Sequence, residues 1–304
     1  MSTINTLDFE SKLTDELDKA VVQKSVTAFM ADNSFRQHFV GARTVLIPDV
    51  DFSGLGNYDR DGGFANGSVT VNQESYRLTQ DRARSFSIDR EDMDETGIAG
   101  LAGQIMGEFV RTKVVPEVDA YVLSKLAGYA YSEGQTVEGT PATDAYAMLT
   151  EAIANAQNEV GYDEELIAFV DGKMLNALQN SEEISRHLVM NDFKKGELHT
   201  QVTSLNGVAI LPVPDSRMKT AYNFYDGTTA GQEAGGFTPA ANAKSIGLLL
   251  VPRRAASLIK KTEQVRCFDP AHNLKADAWK LDYRLYYDVV LKDSLKGGIC
   301  TYVY

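Results

Sequence analysis

Residues 278–292 read Ala-Trp-Lys-Leu-Asp-Tyr-Arg-Leu-Tyr-Tyr-Asp-Val-Val-Leu-Lys. Trp279, Leu281, Tyr283, Leu285, Tyr287, Val289 and Leu291 take every odd position, and Lys280, Asp282, Arg284, Asp288 and Lys292 take most even ones. Successive side chains of a strand point to opposite faces. The pattern therefore predicts one strand with a buried odd face and a wet even face. At ~3.4 Å per residue it spans about 50 Å, longer than an ordinary strand.

Working outward from this strand, Ile246–Val251 is the longest apolar stretch, far short of the ~20 residues that span a bilayer. Val208–Leu211 reads as a strand ended by Pro212 and Pro214. Leu166–Val170 reads as a buried strand with a short helix, 174–179, behind it. A helix runs from Thr143, a suitable N-cap, to Val160. Its apolar stripe is Ala145, Met148, Leu149, Ala152, Ile153 and Ala156, and Gly161 stops it. Such alternation of strands and helices predicts an α/β-type subdomain.

Residues 96–130 predict a long helix with Ile98, Leu101, Ile105, Met106 and Phe109 on one face. Pro116 should kink or divide it, because its ring clashes with the carbonyl four residues back. Gly97, Gly100, Gly103 and Gly107 recur along one stripe and suggest that another backbone passes close by. Residues 44–90 read as a long β-hairpin. Thr44–Ile47 and the alternation from Ser68 form its arms, strand character resumes at Arg84–Ile88, and the breaker-rich loop SGLGNYDRDGGFANGS forms its tip. Few apolar residues lie near that tip, and a two-stranded ribbon alone is marginal in water, so the arm is expected to lie on another subunit. Residues 8–31 predict an amphipathic helix, with Leu13, Leu17 and Val21 at steps of four and Val22, Val26 and Met30 as the adjoining row.

The chain has 304 residues, 43% apolar and 24% charged, with a net charge of −12. This is a globular composition whose acidity keeps copies soluble and gives no long-range attraction to nucleic acid. Cys267 and Cys300 are the two cysteines; they form no disulfide framework and fit a reducing cytosol. Acids occupy the N-terminal stretch where a signal peptide needs bases.

Each motif that could carry chemistry is broken at a specific position. His38, His187, His199 and His272 share no ligand spacing. Neither GxSxG, a P-loop nor GxGxxG occurs. Asn57-x-Asp59-x-Asp61-Gly62 opens like a calcium loop, but Ser68 stands where the bidentate Glu belongs. Asp49-x-Asp51-x-Ser53-Gly54 fails likewise at Arg60. Asp89, Glu91, Asp92, Asp94 and Glu95 could suggest acid–base work. They precede a helix, where acids stabilise the N-terminus, and Arg82, Arg84 and Arg90 lie near enough in sequence to balance them. Arg253-Arg254 and Lys260-Lys261 are too few for a nucleic-acid patch and suit acidic surfaces of a neighbour. The expectation is therefore no catalytic residue, no metal and no cofactor.

The order of elements, together with the strings KSVTAFMADNSFRQHFVGARTVLIPDVDFSGLGNYDRDGGF (24–64), SYRLTQDRARSFSIDREDMDET (75–96), GEFVRTKVVPEVDAY (107–121) and ILPVPDSRMKT (210–220), resembles major capsid proteins of tailed bacteriophages with the HK97-like fold. The group is that of phages and prophages of Gram-positive bacteria, and the resemblance covers nearly the whole chain. It implies an α+β fold with an N-arm (1–40), an E-loop (41–90), a P-domain (91–140 and 256–293) carrying a spine helix and a long strand, and an A-domain (141–255 and 294–304). The implied role is self-assembly as hexamers and pentamers into an icosahedral head around double-stranded DNA. A portal protein, decoration proteins and a separate scaffolding protein are the implied partners, and no membrane is involved. The short stretch before the arm leaves no room for a scaffolding domain, so assembly is expected to use a separate scaffolding protein or to lose a short peptide from the N-terminus. Candidate intersubunit residues are Asp59, Arg60, Asp61, Arg77, Asp81, Arg82 and Arg84 of the E-loop and Leu13, Leu17 and Val21 of the arm. An encapsulin compartment shares this fold and is the alternative; an acidic hydrolase using residues 89–95 is the remote one. Reversing Arg82 and Arg84 to Glu is expected to lower shell yield and leave the monomer folded.

Some relatives join an E-loop lysine covalently to a neighbouring asparagine, and residues 41–90 contain no lysine. Assembled particles should therefore fall to a single monomer band in hot SDS, and a ladder of high-mass bands would overturn this.

Overall fold

The computed structural model describes residues 25–31, 39–40, 43–91, 101–139, 145–181, 189–195, 198–205, 207–273 and 276–304. In chain order these form β1 (Phe39–Val40), β2 (Thr44–Phe52), β3 (Val69–Arg77), β4 (Gln80–Asp89), α1 (Leu101–Phe109), a π-helical turn (Val110–Val114), α2 (Val115–Ser132), β5 (Thr136–Glu138), α3 (Ala145–Val160), β6 (Leu166–Val170), α4 (Gly172–Asn180), β7 (Val189–Lys195), β8 (Leu198–Leu205), β9 (Val208–Pro212), β10 (Tyr222–Phe224), β11 (Phe237–Pro239), β12 (Ile246–Pro252), β13 (Ala256–Phe268), β14 (Ala278–Leu291) and β15 (Cys300–Val303). Helices and sheets are mixed, as an α+β fold requires.

Strand β14 is the long strand that alternation predicts, and it is the centre of a β13-β14-β4 sheet. β13 pairs along it from Ala256↔Leu291 to Phe268↔Lys280, with a register shift between Lys260 and Thr262. On its other edge β4 pairs from Asp89↔Ala278 to Gln80↔Tyr287. This corrects the hairpin reading. The hairpin is β2–β3, registered from Thr44↔Arg77 to Phe52↔Val69, with β1 pairing the base of β2 at Val45 and Thr44. The chain then turns at Leu78-Thr79, and β4 joins the long strand instead.

A second correction concerns the even face of β14. Leu281, Tyr283, Leu285, Tyr287 and Val289 enter the main core with Met106, Val110, Val122 and Leu126, as expected of the odd face. Arg284 is exposed, but Tyr286, Asp288 and Val290 are buried too. The reason is tertiary. Val45 and Leu78, at the root of the hairpin, pack on Ile259, Tyr286 and Val290 as a separate small core. The Tyr286 hydroxyl donates to Leu78 O at 3.2 Å.

Asp288 is 2% exposed. Its carboxylate accepts from Thr79 N and Thr79 Oγ1, both at 2.9 Å, from Tyr121 OH at 2.8 Å and from Lys125 Nζ at 2.5 Å. A buried charge persists only when it is paired and its lone pairs are satisfied. Here one carboxylate ties the hairpin root, α2 and β14 together.

The long helix is divided as Pro116 predicts. The proline has no N–H to give Thr112 and its ring crowds that carbonyl. The backbone responds one turn earlier by widening to i→i+5 bonding, with Val115 N donating to Val110 O. Pro116 then sits in the first turn of α2, where its missing donor costs little. Gly97 and Gly100 lie outside the described residues.

The second layer is a seven-stranded sheet, β5-β15-β12-β6-β9-β8-β7. Its strand β12 is buried at every residue, which explains why Ile246–Val251 shows no alternation. Helices α3 and α4 cover one face through Leu149, Ile153, Met174 and Leu178. Asp171 caps α4 by accepting from Met174 N at 2.7 Å, and Gly161, at φ +89°, ends α3. Thr143 lies outside the described residues.

Of the predicted 8–31 helix, the described part is a single 3-10 turn, Ala28–Met30, with Thr27 and Ala31 non-helical on either side. Ala31 instead bridges Leu258, and Met30 enters the main core. Leu13, Leu17 and Val21 lie outside the described residues.

Asp288→Ala should lower the unfolding free energy by about 3 kcal/mol, since it strands Lys125 and the Thr79 amide. Urea denaturation checks this, and a loss below about 1 kcal/mol would refute the anchoring role.

Candidate functional site

The β2–β3 hairpin is built by local backbone rules, with little burial towards its tip. At the tip, Ser53 N donates to Ser68 O at 3.0 Å and Ser68 N to Ser53 Oγ at 2.8 Å. Asp59 and Gly63 exchange backbone bonds at 3.1 and 2.8 Å, Gly63 at φ +82° making the tight return. Asp59 Oδ1 accepts from Asp61 N at 3.0 Å, so the calcium-like spacing is spent on an Asx turn. Tyr58 and Phe64 meet edge-on at 5.1 Å.

These few apolar side chains are exposed. Leu55 is fully open, Phe64 is 88% exposed, and Val50, Phe52, Tyr58, Val69 and Val71 are also solvent-facing. Scattered single apolar residues on a surface need no explanation, whereas larger exposed apolar patches are a feature of association surfaces in general. Residues 69–73 of β3 are likewise exposed on both strand faces.

The expected site residues separate into two groups. Asp59, Arg60, Asp61 and Arg77 are exposed on the hairpin. Asp81, Arg82 and Arg84 lie on β4 and bind their own chain. Arg284 forks onto Asp81 at 2.9 and 2.7 Å, and that hydrogen bonding holds the Asp81 carboxyl below its ordinary value. Arg82 Nε pairs with Glu117 at 2.6 Å. Its other nitrogens donate to Tyr225 O at 2.8 Å and Gly236 O at 3.4 Å. Arg84 Nη1 donates to Glu233 O at 3.1 Å. A Cβ on Gly227, at φ +75°, would stand 3.1 Å from the same nitrogen. Arg82 and Arg84 thus clamp the 225–236 loop onto β4, beside a 350 Å³ cavity floored by Phe109, Tyr283 and Leu285.

Other charge expectations are corrected in the same way. Arg253 pairs with Glu165 at 2.5 Å, Arg254 with Glu164 at 2.7 Å and Lys260 with Glu263 at 2.7 Å, all within the chain. Arg82 balances Glu117, and Arg90 reaches Asp277 at 4.0 Å. Asp92, Asp94 and Glu95 lie outside the described residues, as do His38 and His187. His272 is exposed and bonded to Asp269 at 2.5 Å. Among the described residues no three His, Cys, Asp or Glu side chains group as a metal site, and no helix is long and apolar enough to cross a membrane.

Sequence reasoning missed Asp119. Its buried carboxylate accepts from Thr27 Oγ1 at 2.6 Å, Ser25 Oγ at 2.7 Å, Thr27 N and Val26 N at 3.3 Å and Arg217 Nη1 at 2.9 Å. Burial pushes this carboxyl above its ordinary value, while Thr27, Ser25 and Arg217 pull it back. The site fastens the 25–31 segment to α2. A signal was present: Asp119 interrupts the apolar row Val115, Val122, Leu126 at helical spacing.

No family model and no curated protein matches the chain. Solved structures do. One from Mycobacterium phage Che8 has a TM-score of 0.58 at 12% identity, covering 91% of this chain and 90% of its own. The capsid of cyanophage P-SCSP1u gives 0.56 at 12%, covering 87% and 84%. The mature capsid of bacteriophage PhiM1 gives 0.55 at 14%, covering 90% and 87%. The chain therefore has the fold seen in these phage structures, two of which are capsids.

Because Arg82 is tied within its own chain, Arg82→Glu should itself destabilise the monomer, by about 2 kcal/mol or more. Arg77→Glu should stay within about 0.5 kcal/mol. Equal melting curves for the two variants would refute this division.

Proposed function

We propose that this chain is the shell-forming capsid protein of a tailed phage. In this reading it assembles as hexamers and pentamers into an icosahedral head that encloses double-stranded DNA. The observation that carries the reading is a hairpin whose apolar side chains, from Val50 to Val71, find no burial in their own chain, on a fold shared with phage capsids over about nine tenths of the chain. Burial of such a ribbon requires another molecule, and in a symmetric shell that molecule is the next copy.

The HK97-like parts follow from the same reading. Residues 1–40 act as the N-arm, and Leu13, Leu17 and Val21 face a neighbour. The E-loop is the β2–β3 hairpin, where Asp59, Arg60, Asp61 and Arg77 are free to meet a second copy. β4 joins 91–140 and 256–293 as the P-domain, while 141–255 and 294–304 form the A-domain. Each contact can be weak, because many made at once rarely release together. A net charge of −12 suits an inner wall that surrounds DNA without reading it. Portal, scaffolding and decoration proteins complete the particle. An encapsulin shell is not favoured, since the similar structures named above come from phages. The role is structural and not enzymatic.

Leu55→Asp combined with Phe64→Asp tests the carrying observation. Both side chains are solvent-exposed in the monomer, so its melting temperature and circular dichroism should not move. Shells should vanish from negative-stain micrographs, since each lost apolar contact is worth about 1.5–3 kcal/mol on burial. Normal particles from the double variant would overturn the reading.

A further inference from the structure

The 350 Å³ cavity beside β4 is walled by that strand, the π-helical turn with the start of α2, and the 225–236 loop. Strand alternation puts Arg82, Arg84 and Phe86 on one face of β4, opposite Leu285, Tyr283 and Leu281 of β14. The floor is aromatic. Phe109 meets Phe86 edge-on at 4.9 Å and Tyr283 at 5.9 Å. Phe86 and Phe109 line the cavity and are only half-buried. The volume lies near the lower end of ligand pockets, roughly 300–1,000 Å³.

Six charged side chains line this cavity: Asp81, Arg82, Arg84, Lys113, Glu117 and Asp226. Arg82 is paired with Glu117, and Asp81 with Arg284. Asp226 accepts from Thr228 N, Thr229 N and Thr229 Oγ1 at 2.9, 2.8 and 2.6 Å, so its carboxylate is held in a turn. Two cations remain. Arg84 gives Nη1 to a carbonyl, Glu233 O. Lys113 is exposed and has no ion pair among the described residues. The rim thus offers two cations without a carboxylate partner above an aromatic floor.

The hairpin tip carries the converse set. Leu55, Tyr58 and Phe64 are exposed, and Asp59, Arg60 and Asp61 among them sum to one negative charge. This tip does not serve its own chain, since Phe64 is 88% exposed. Residues 69–78 carry it about 30 Å from the hairpin root at ~3.4 Å per residue, whereas the cavity begins at Asp81, just past that root.

We propose that this cavity receives the hairpin tip of a second copy, with Phe64 on the Phe86–Phe109 floor and Asp61 against Lys113. The inference rests on the shell reading above and names the surface that the hairpin meets. An aromatic ring entering there continues an edge-to-face stack. A basic segment would meet Arg84 and Lys113 as like charges, and a purely apolar one would leave both unmatched. Tip and cavity lie on different parts of each chain, so the contact is head-to-tail. Contacts of that kind pass from copy to copy and close into a ring when the rotation permits.

The full chain carrying p-benzoylphenylalanine in place of Phe64 tests this. It is assembled with isotope-labelled wild-type chain, irradiated and mapped by mass spectrometry. Adducts are expected between copies, on residues 83–86, 109–114 or 225–236. Asp61→Lys and Lys113→Glu change exposed side chains, so each should leave the melting temperature in place and lower particle yield about tenfold, and the double variant should regain most of the loss. Adducts confined to one copy or to other segments, particles that give no adduct, or a double variant no better than either single one would each overturn the inference and leave the shell reading standing. Wild-type chain that forms no particles would sink the shell reading, and this inference with it.

Discussion

The buried carboxylate of Asp288 is the constraint on which the architecture depends. It receives the Thr79 amide and hydroxyl, the Tyr121 hydroxyl and the Lys125 ammonium, and so joins the hairpin root to α2 and the long strand. A charge in that position is costly unless every partner is present, which makes the junction all-or-none. Thr79 is also the point at which the chain stops being hairpin and becomes β4. The anchor thus holds the hairpin's exit while the rest of the ribbon projects. Asp119 does the same for the other end of the fold, fastening residues 25–27 and Arg217 to α2. Two acids on or against one helix therefore hold in place the segments that leave the compact core.

The division between anchored and unanchored charge separates structure from function. Asp81, Arg82 and Arg84 resemble the tip charges in sequence, yet their partners are Arg284, Glu117 and the carbonyls of the 225–236 loop. Their energy goes into holding one chain together. Asp59, Arg60 and Asp61 have turn geometry and solvent. Their neighbours Leu55, Tyr58 and Phe64 remain wet, which is the ground on which association is proposed for this ribbon.

Much of the fold was legible because period and punctuation are local. The long strand at 278–291, the strand at 166–170, the helix ended by Gly161 and the helix broken near Pro116 all follow from side-chain alternation, glycine and proline. Strand β4 was misassigned, since alternation at Arg84–Ile88 states that a strand exists but not which edge it joins. Asp288 was read as wet because its neighbours alternate, and only Val45 and Leu78, arriving from more than two hundred residues away, bury that face.

By itself the amino-acid sequence determined the strands at 166–170, 208–211 and 278–291, the helix ended by Gly161, the helix divided near Pro116, the acidic composition, the absence of lysine from residues 41–90 and the existence of a hairpin too poor in apolar residues to carry a core. These are properties of short windows or of composition, and short-range sterics and transfer energies decide them. Tertiary structure decided which strand pairs with β14, which charges are spent inside the chain, and which apolar side chains are left in water. Those outcomes depend on pairings between distant segments, whose energies no local window contains.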